Sequence, residues 1–284
     1  MLSKKQVDNI ISSFQQIVLD KLSKRLKSLY IVGSYTFGKI SNDRPDINFL
    51  LIFDKFTSPQ DYLTIGEICR TIEEEFSKDT TVKIEFRPFR YIKPRYQNEL
   101  EVSINPIIIS TGEIQGMGGV IFNKWFTEGL KNANKLLSGE DFLKALEISS
   151  ITTQDLQKGA IFDLSFFSIP LSRAPAQYNK KESNLLLNES LTNAKNIAFF
   201  GIEAAMKQEE LDKKAYLQYM KNKETITSFY KERYGDDVSR MVKRIFEVRT
   251  NYLKYKNDPE VAEELFGIAL SLTNIIRSKI LTHH

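Results

Sequence analysis

Apolar residues recur at three- and four-residue steps between Lys4 and Lys27, at Val7, Ile10, Ile11, Phe14, Ile17, Val18 and Leu22. That period predicts an opening amphipathic helix with one buried face. Leu29 to Val32 is then a short apolar run ended by Gly33, and Ile47 to Phe53 is a longer one ended by the turn from Asp54 to Pro59. Both predict buried strands. Helical spacing returns at Tyr62, Leu63, Ile65, Ile68, Cys69, Ile72 and Phe76, with Glu73, Glu74 and Glu75 on the solvated side. Thr81 to Phe89 alternates, with Val82, Ile84 and Phe86 on one face and Lys83, Glu85 and Arg87 on the other, the two-residue period of a half-exposed strand. A last run, Ile104 to Ser110, precedes the glycine-rich stretch from Gly112 to Gly119.

Beyond Gly119 strand signals nearly vanish. Met241, Val242, Ile245, Phe246, Tyr252 and Leu253 form one helical stripe, and Val261, Leu265, Ile268, Leu272, Ile275 and Ile276 form another. Asn257, Asp258 and Pro259 break the two. Ser168 to Asn179, with Pro170, Arg173 and Pro175, reads as a loop between helices. The expected architecture is an α+β domain over residues 1–118, a mixed sheet with flanking helices, followed by an all-α helical bundle over 119–284.

Composition narrows the chemistry. A chain of 284 residues accommodates two domains, each with its own core. A net charge of +4 does not by itself argue for nucleic acid. The lone cysteine, Cys69, cannot form an internal disulfide or a zinc centre, and on its apolar helix face it reads as a small core residue. Only His283 and His284 are histidines, at the C-terminal end, which removes histidine general-base chemistry and His-ligated metals from consideration. No apolar run approaches the roughly 20 residues that span a bilayer, and the N-terminus lacks a signal-peptide core, so a cytoplasmic protein with no membrane partner is expected.

The chemistry-bearing residues cluster near the predicted strands. Gly33-Ser34 follows one strand, where backbone N–H groups and a small hydroxyl suit a phosphate; it also suits an ordinary turn. Asp46 and Asn48, at i and i+2 at the head of an apolar strand, share a face and can converge on one ion; Asx residues at strand ends also satisfy local backbone groups. Glu85 on the later strand completes a set of oxygen donors suited to Mg²⁺ if that strand lies beside the one carrying Asp46, or else pairs with Lys83 or Arg87 at the surface. A basic strip of Arg87, Arg90, Lys93 and Arg95, interleaved with Phe89, Tyr91 and Tyr96, suits a triphosphate, a nucleic-acid strand or a solvated loop.

This combination resembles the minimal nucleotidyltransferase, or DNA polymerase β-like, superfamily, with its Gly-Ser, a spacer, Asp-x-Asp or Asp-x-Glu, and a third acid on a later strand. The resemblance covers about residues 1 to 118, and the helical second half is similar to the companion domains of antibiotic nucleotidyltransferases and of prokaryotic MNT/HEPN pairs. It implies that Gly33, Ser34, Lys39 and Arg87 hold the nucleotide and that Asp46, Asn48 and Glu85 occupy the catalytic and metal-ligand positions, for Mg²⁺ or Mn²⁺. The implied reaction is attack by an acceptor hydroxyl on the α-phosphorus of a nucleoside triphosphate, with pyrophosphate leaving. The acceptor would be a small molecule, a protein or an RNA end, and a homodimer is compatible with the family. Glu147 and Asp163 are candidate general bases in the acceptor pocket. The chain departs from the pattern at Asn48, which keeps a carbonyl oxygen but lacks the second negative charge. The alternative function is therefore a catalytically inactive fold that binds a nucleotide or acts as a regulatory interaction module.

Overall fold

A computed structural model describes residues 3–38, 46–77, 83–86, 101–117, 122–178, 180–211 and 222–281. The chain divides into two compact units: a first running to Ile148 and a helical second comprising Ser149–His284 with the short segment Asn123–Trp125.

In the first unit, helix α1 (Lys4–Leu22) begins on a capping box, in which the Ser3 hydroxyl accepts from the Gln6 amide and the Gln6 side chain accepts from the Ser3 amide. Its buried residues Val7, Ile10, Ile11, Phe14, Val18 and Leu22 are the predicted stripe apart from half-buried Ile17. The strands are β1 (Leu26–Val32), β2 (Asp46–Phe53), β3 (Lys83–Phe86), β4 (Glu101–Ser110) and β5 (Asn134–Gly139), with α2 (Pro59–Ser77) after β2 and α3 (Lys124–Asn132) before β5. They form one mixed sheet of order β3-β4-β2-β1-β5. β1 is antiparallel to both β2 and β5, while β4 is parallel to both β2 and β3.

The sheet is apolar on both faces, which explains the unbroken hydrophobic runs of β1 and β2. Ile47, Phe49, Leu51 and Phe53 join Leu29 and Ile31 in a core with α1 and α2, where Cys69 is buried as expected. Phe14 and Phe49 stack there with ring centroids 4.2 Å apart. On the opposite face Tyr30, Val32, Leu50, Ile52, Ile107 and Ile109 meet Met117, Phe122 and Leu130, along with Leu143 of the one-turn helix α4 (Phe142–Ala145).

Two expectations are corrected. The first unit does not end at residue 118, because β5 pairs with β1 and completes the sheet, taking the unit on to Ile148. The segment from Ser168 to Asn179 is not a loop throughout. Helix α5 (Thr153–Arg173) runs through Pro170, held by Leu164 and Leu171, both fully buried, and only then gives way to a 3₁₀ turn at Ala174–Gln177.

The second unit is helical as expected: α5, α6 (Ser183–Ala205), α7 (Lys223–Tyr234), α8 (Asp236–Thr250) and α9 (Pro259–Leu281) share one hydrophobic core. Asp258 caps α9 by accepting from the Glu260 and Val261 amides, so the predicted break at Asn257-Asp258-Pro259 is a helix start with proline in the first turn. Tyr230, fully buried, donates to the Ala198 carbonyl at 2.7 Å, and Tyr234 donates to the Gly201 carbonyl at 2.6 Å. A side chain at Gly201 would meet the Tyr230 hydroxyl at 1.9 Å, so this close approach of α6 and α7 requires glycine. Among the described residues no helix is long and apolar enough to cross a membrane.

Candidate active site

The glycine turn is built from the end of β1. Gly33 adopts φ 86° and ψ −154°, a region essentially reserved for glycine, and its amide donates to the Ala133 carbonyl at 2.8 Å. A 3₁₀ turn, Ser34–Phe37, follows, with the Thr36 amide and hydroxyl both donating to the Gly33 carbonyl and Gly38 closing the turn at φ 70°. Tyr35 ties this turn to α1 by donating to Asp8; burial first and that bond second push its hydroxyl pKa up to about 12. Ser34 is exposed.

β2 brings its head to the same end of the sheet, since Asn48 pairs with Val32 immediately before Gly33. The Asn48 carbonyl oxygen accepts from Asn105 Nδ2 of β4 at 2.9 Å, and the two residues are register partners on adjacent parallel strands. A Cβ built on Gly33 would lie 3.4 Å from Asn48 Nδ2, so the amide nitrogen is the part of Asn48 that faces the glycine turn.

Asp46 and Glu85 have their backbones in β2 and β3, and their side chains lie outside the description, as do Lys39, Arg87 and the basic strip beyond it. β3 is not the neighbour of β2, because β4 inserts between them. Asp46 and Glu85 nevertheless stand in one row, each opposite Ser103, two strand spacings or roughly 10 Å apart along the backbone. Asn48 and Asn105 form the next row on that face of β2 and β4.

Asn105 escaped the sequence reading. Its signal was a single amide inside the run Ile104-Asn105-Pro106-Ile107, at a position whose register partner could not be known without the strand order. The two proposed bases differ in setting. Asp163 is buried and accepts from Asn123 Nδ2 at 2.8 Å, whereas Glu147 is exposed beside a cavity of about 290 Å³ lined by Ile114, Phe142, Ala145 and Leu146.

Among the described residues no three His, Cys, Asp or Glu side chains gather as a metal site. Asn48, which stands at the ligand position of the family pattern, accepts from Asn105 through its amide oxygen and turns its amide nitrogen toward the glycine turn.

No protein-family profile matches the chain, and neither does any curated protein sequence. Among solved structures the fold is similar to that of the spectinomycin adenyltransferase AAD(9) from Enterococcus faecialis, crystallised with ATP and spectinomycin, with a TM-score of 0.53 over 92% of this chain and 98% of that one at 12% identity. The architecture shared with that structure is an α+β domain with a mixed sheet followed by a helical domain.

Proposed function

We propose that this chain is a nucleotidyltransferase-fold protein that binds a nucleoside triphosphate at the end of the sheet formed by the Gly33-Ser34 turn and the heads of β2, β3 and β4. The observation that carries the reading is the Gly-only backbone at Gly33, placed beside the row holding Asn48 and one residue row from Asp46 and Glu85. The reaction class is transfer of a nucleoside monophosphate to a hydroxyl acceptor with loss of pyrophosphate. Ser34 and the turn hold phosphate, Lys39 and Arg87 supply cationic contacts, and Asp46 and Glu85 supply the carboxylates. ATP use by the AAD(9) adenyltransferase of like fold supports a triphosphate as the ligand. A second reading, a nucleotide-binding module without turnover, is favoured by the bond that engages the Asn48 oxygen. Incubating the protein with each of four labelled nucleoside triphosphates and Mg²⁺ or Mn²⁺ separates the two. Pyrophosphate release supports the transferase; no release from the native protein or from Asn48→Asp, together with saturable nucleotide binding, supports the module.

A further inference from the structure

The position where the family pattern requires a second carboxylate carries an oriented amide pair. In that pair Asn105 Nδ2 donates and Asn48 Oδ1 accepts, at 2.9 Å. Because an amide has one oxygen and one nitrogen, engaging the Asn48 oxygen leaves its NH₂ group as the end that faces Gly33. A carboxylate there would present an acceptor to the triphosphate and would need a cation between the two; an NH₂ group donates to a phosphate oxygen directly.

We propose that Asn48 is a phosphate-binding donor of this site and that Asn105 is the positioning residue that holds it in that sense, so that position 48 makes no demand for a divalent ion. This rests on the nucleotide-binding reading above and deepens it. An aspartate at position 48 would restore the demand. An alanine at position 105 would free the Asn48 amide to turn its oxygen toward the ligand.

The test is calorimetric titration of the full chain with α,β-methylene ATP, once in Mg²⁺ and once in EDTA, reading the ratio of the two dissociation constants. Asn48→Asp is expected to raise the EDTA-to-Mg²⁺ ratio at least tenfold over the native value. Asn48→Ala, which removes the donor without adding charge, is expected to weaken binding severalfold in EDTA and guards against misfolding of the aspartate variant. Asn105→Ala is expected to weaken EDTA binding severalfold in the native background and to leave the Asn48→Asp background unchanged, because a carboxylate has no sense to lose; a merely structural Asn105 would act equally in both. Equal ratios for the native protein and Asn48→Asp, or equal effects of Asn105→Ala in both backgrounds, would overturn the proposal while leaving nucleotide binding intact. Absence of binding by the native protein in both buffers would instead overturn the nucleotide-binding reading, and this proposal with it.

Discussion

Replacing Gly33 by alanine isolates the backbone geometry on which the site depends. At φ 86° and ψ −154° an L-residue pays the strain of a conformation populated almost solely by glycine, about 1–3 kcal/mol. Packing adds little, since the new Cβ would meet Asn48 Nδ2 at 3.4 Å, an ordinary contact. Gly66 provides the control: it lies inside α2 at a conformation open to any residue, and an added Cβ meets nothing within 4 Å. There alanine restricts the unfolded chain and favours the helix, a gain of about 0.5–1 kcal/mol. The same chemical change at two positions of one unit is thus expected to act in opposite directions, with a difference of about 1.5–4 kcal/mol between them. Urea unfolding of the full chain followed by far-ultraviolet circular dichroism reads this as a lowered midpoint for Gly33→Ala and a raised one for Gly66→Ala, at unchanged slope. With two units the curve need not be a single transition, and only the part belonging to the first unit should move. Shifts of the same sign, or a Gly33→Ala change below about 0.5 kcal/mol, would refute the strain assigned to the turn.

Three further outcomes follow from pairs elsewhere. Arg25 grips Asp61 through two bonds, Nε to Oδ1 at 3.2 Å and Nη2 to Oδ2 at 2.8 Å, and Asp61 is only 4% exposed, so Arg25→Ala should lower the midpoint of a denaturant titration by leaving that carboxylate without its cation. Burial alone would raise the Asp61 pKa, but the bonds from Arg25 and from the Ser58 amide and hydroxyl outweigh it and hold it below the usual carboxylate range. Its stabilising contribution is therefore present above the unfolded carboxylate pKa and is lost as pH falls through the lowered folded value, so Asp61→Asn should flatten the acid limb of a midpoint-against-pH curve; an unchanged limb would count against the pairing. In the second unit, Tyr230→Phe removes a buried bond to Ala198 and should cost about 0.5–1.5 kcal/mol, while Gly201→Ala collides with that same hydroxyl; the double variant should therefore be less destabilised than the sum of the two singles.

Local periodicity exposed the elements that carry the first core. The stripe of α1, the apolar runs of β1 and β2, and the α2 face holding Cys69 all follow from residue spacing, because these segments bury one or both faces against neighbours close in sequence. β5 did not show itself, since Asn134–Gly139 is a short edge strand whose half-buried residues neither alternate nor form a continuous apolar run. Glu101 to Ser103 joined β4 through pairing with β2 and β3 rather than through hydrophobicity. The same long-range pairing decides the site. The glycine turn and the Asp46-Asn48 spacing can be read along one stretch of chain, whereas the insertion of β4 between β2 and β3, and with it the Asn105 bond to Asn48, depends on strand order that no local pattern encodes. Pro170 likewise reads as a helix breaker until the burial of Leu164 and Leu171 is seen to hold α5 together across it.

The central claim is that a nucleoside triphosphate binds at the Gly33 turn. Titrating the full chain with ATP in Mg²⁺, at a temperature where circular dichroism shows each variant folded, tests it most directly. One saturable site is expected for the native protein and for Gly66→Ala, and its loss, or at least a tenfold weakening, is expected for Gly33→Ala. Absence of saturable binding, or equal affinity in the native protein and Gly33→Ala, would contradict it.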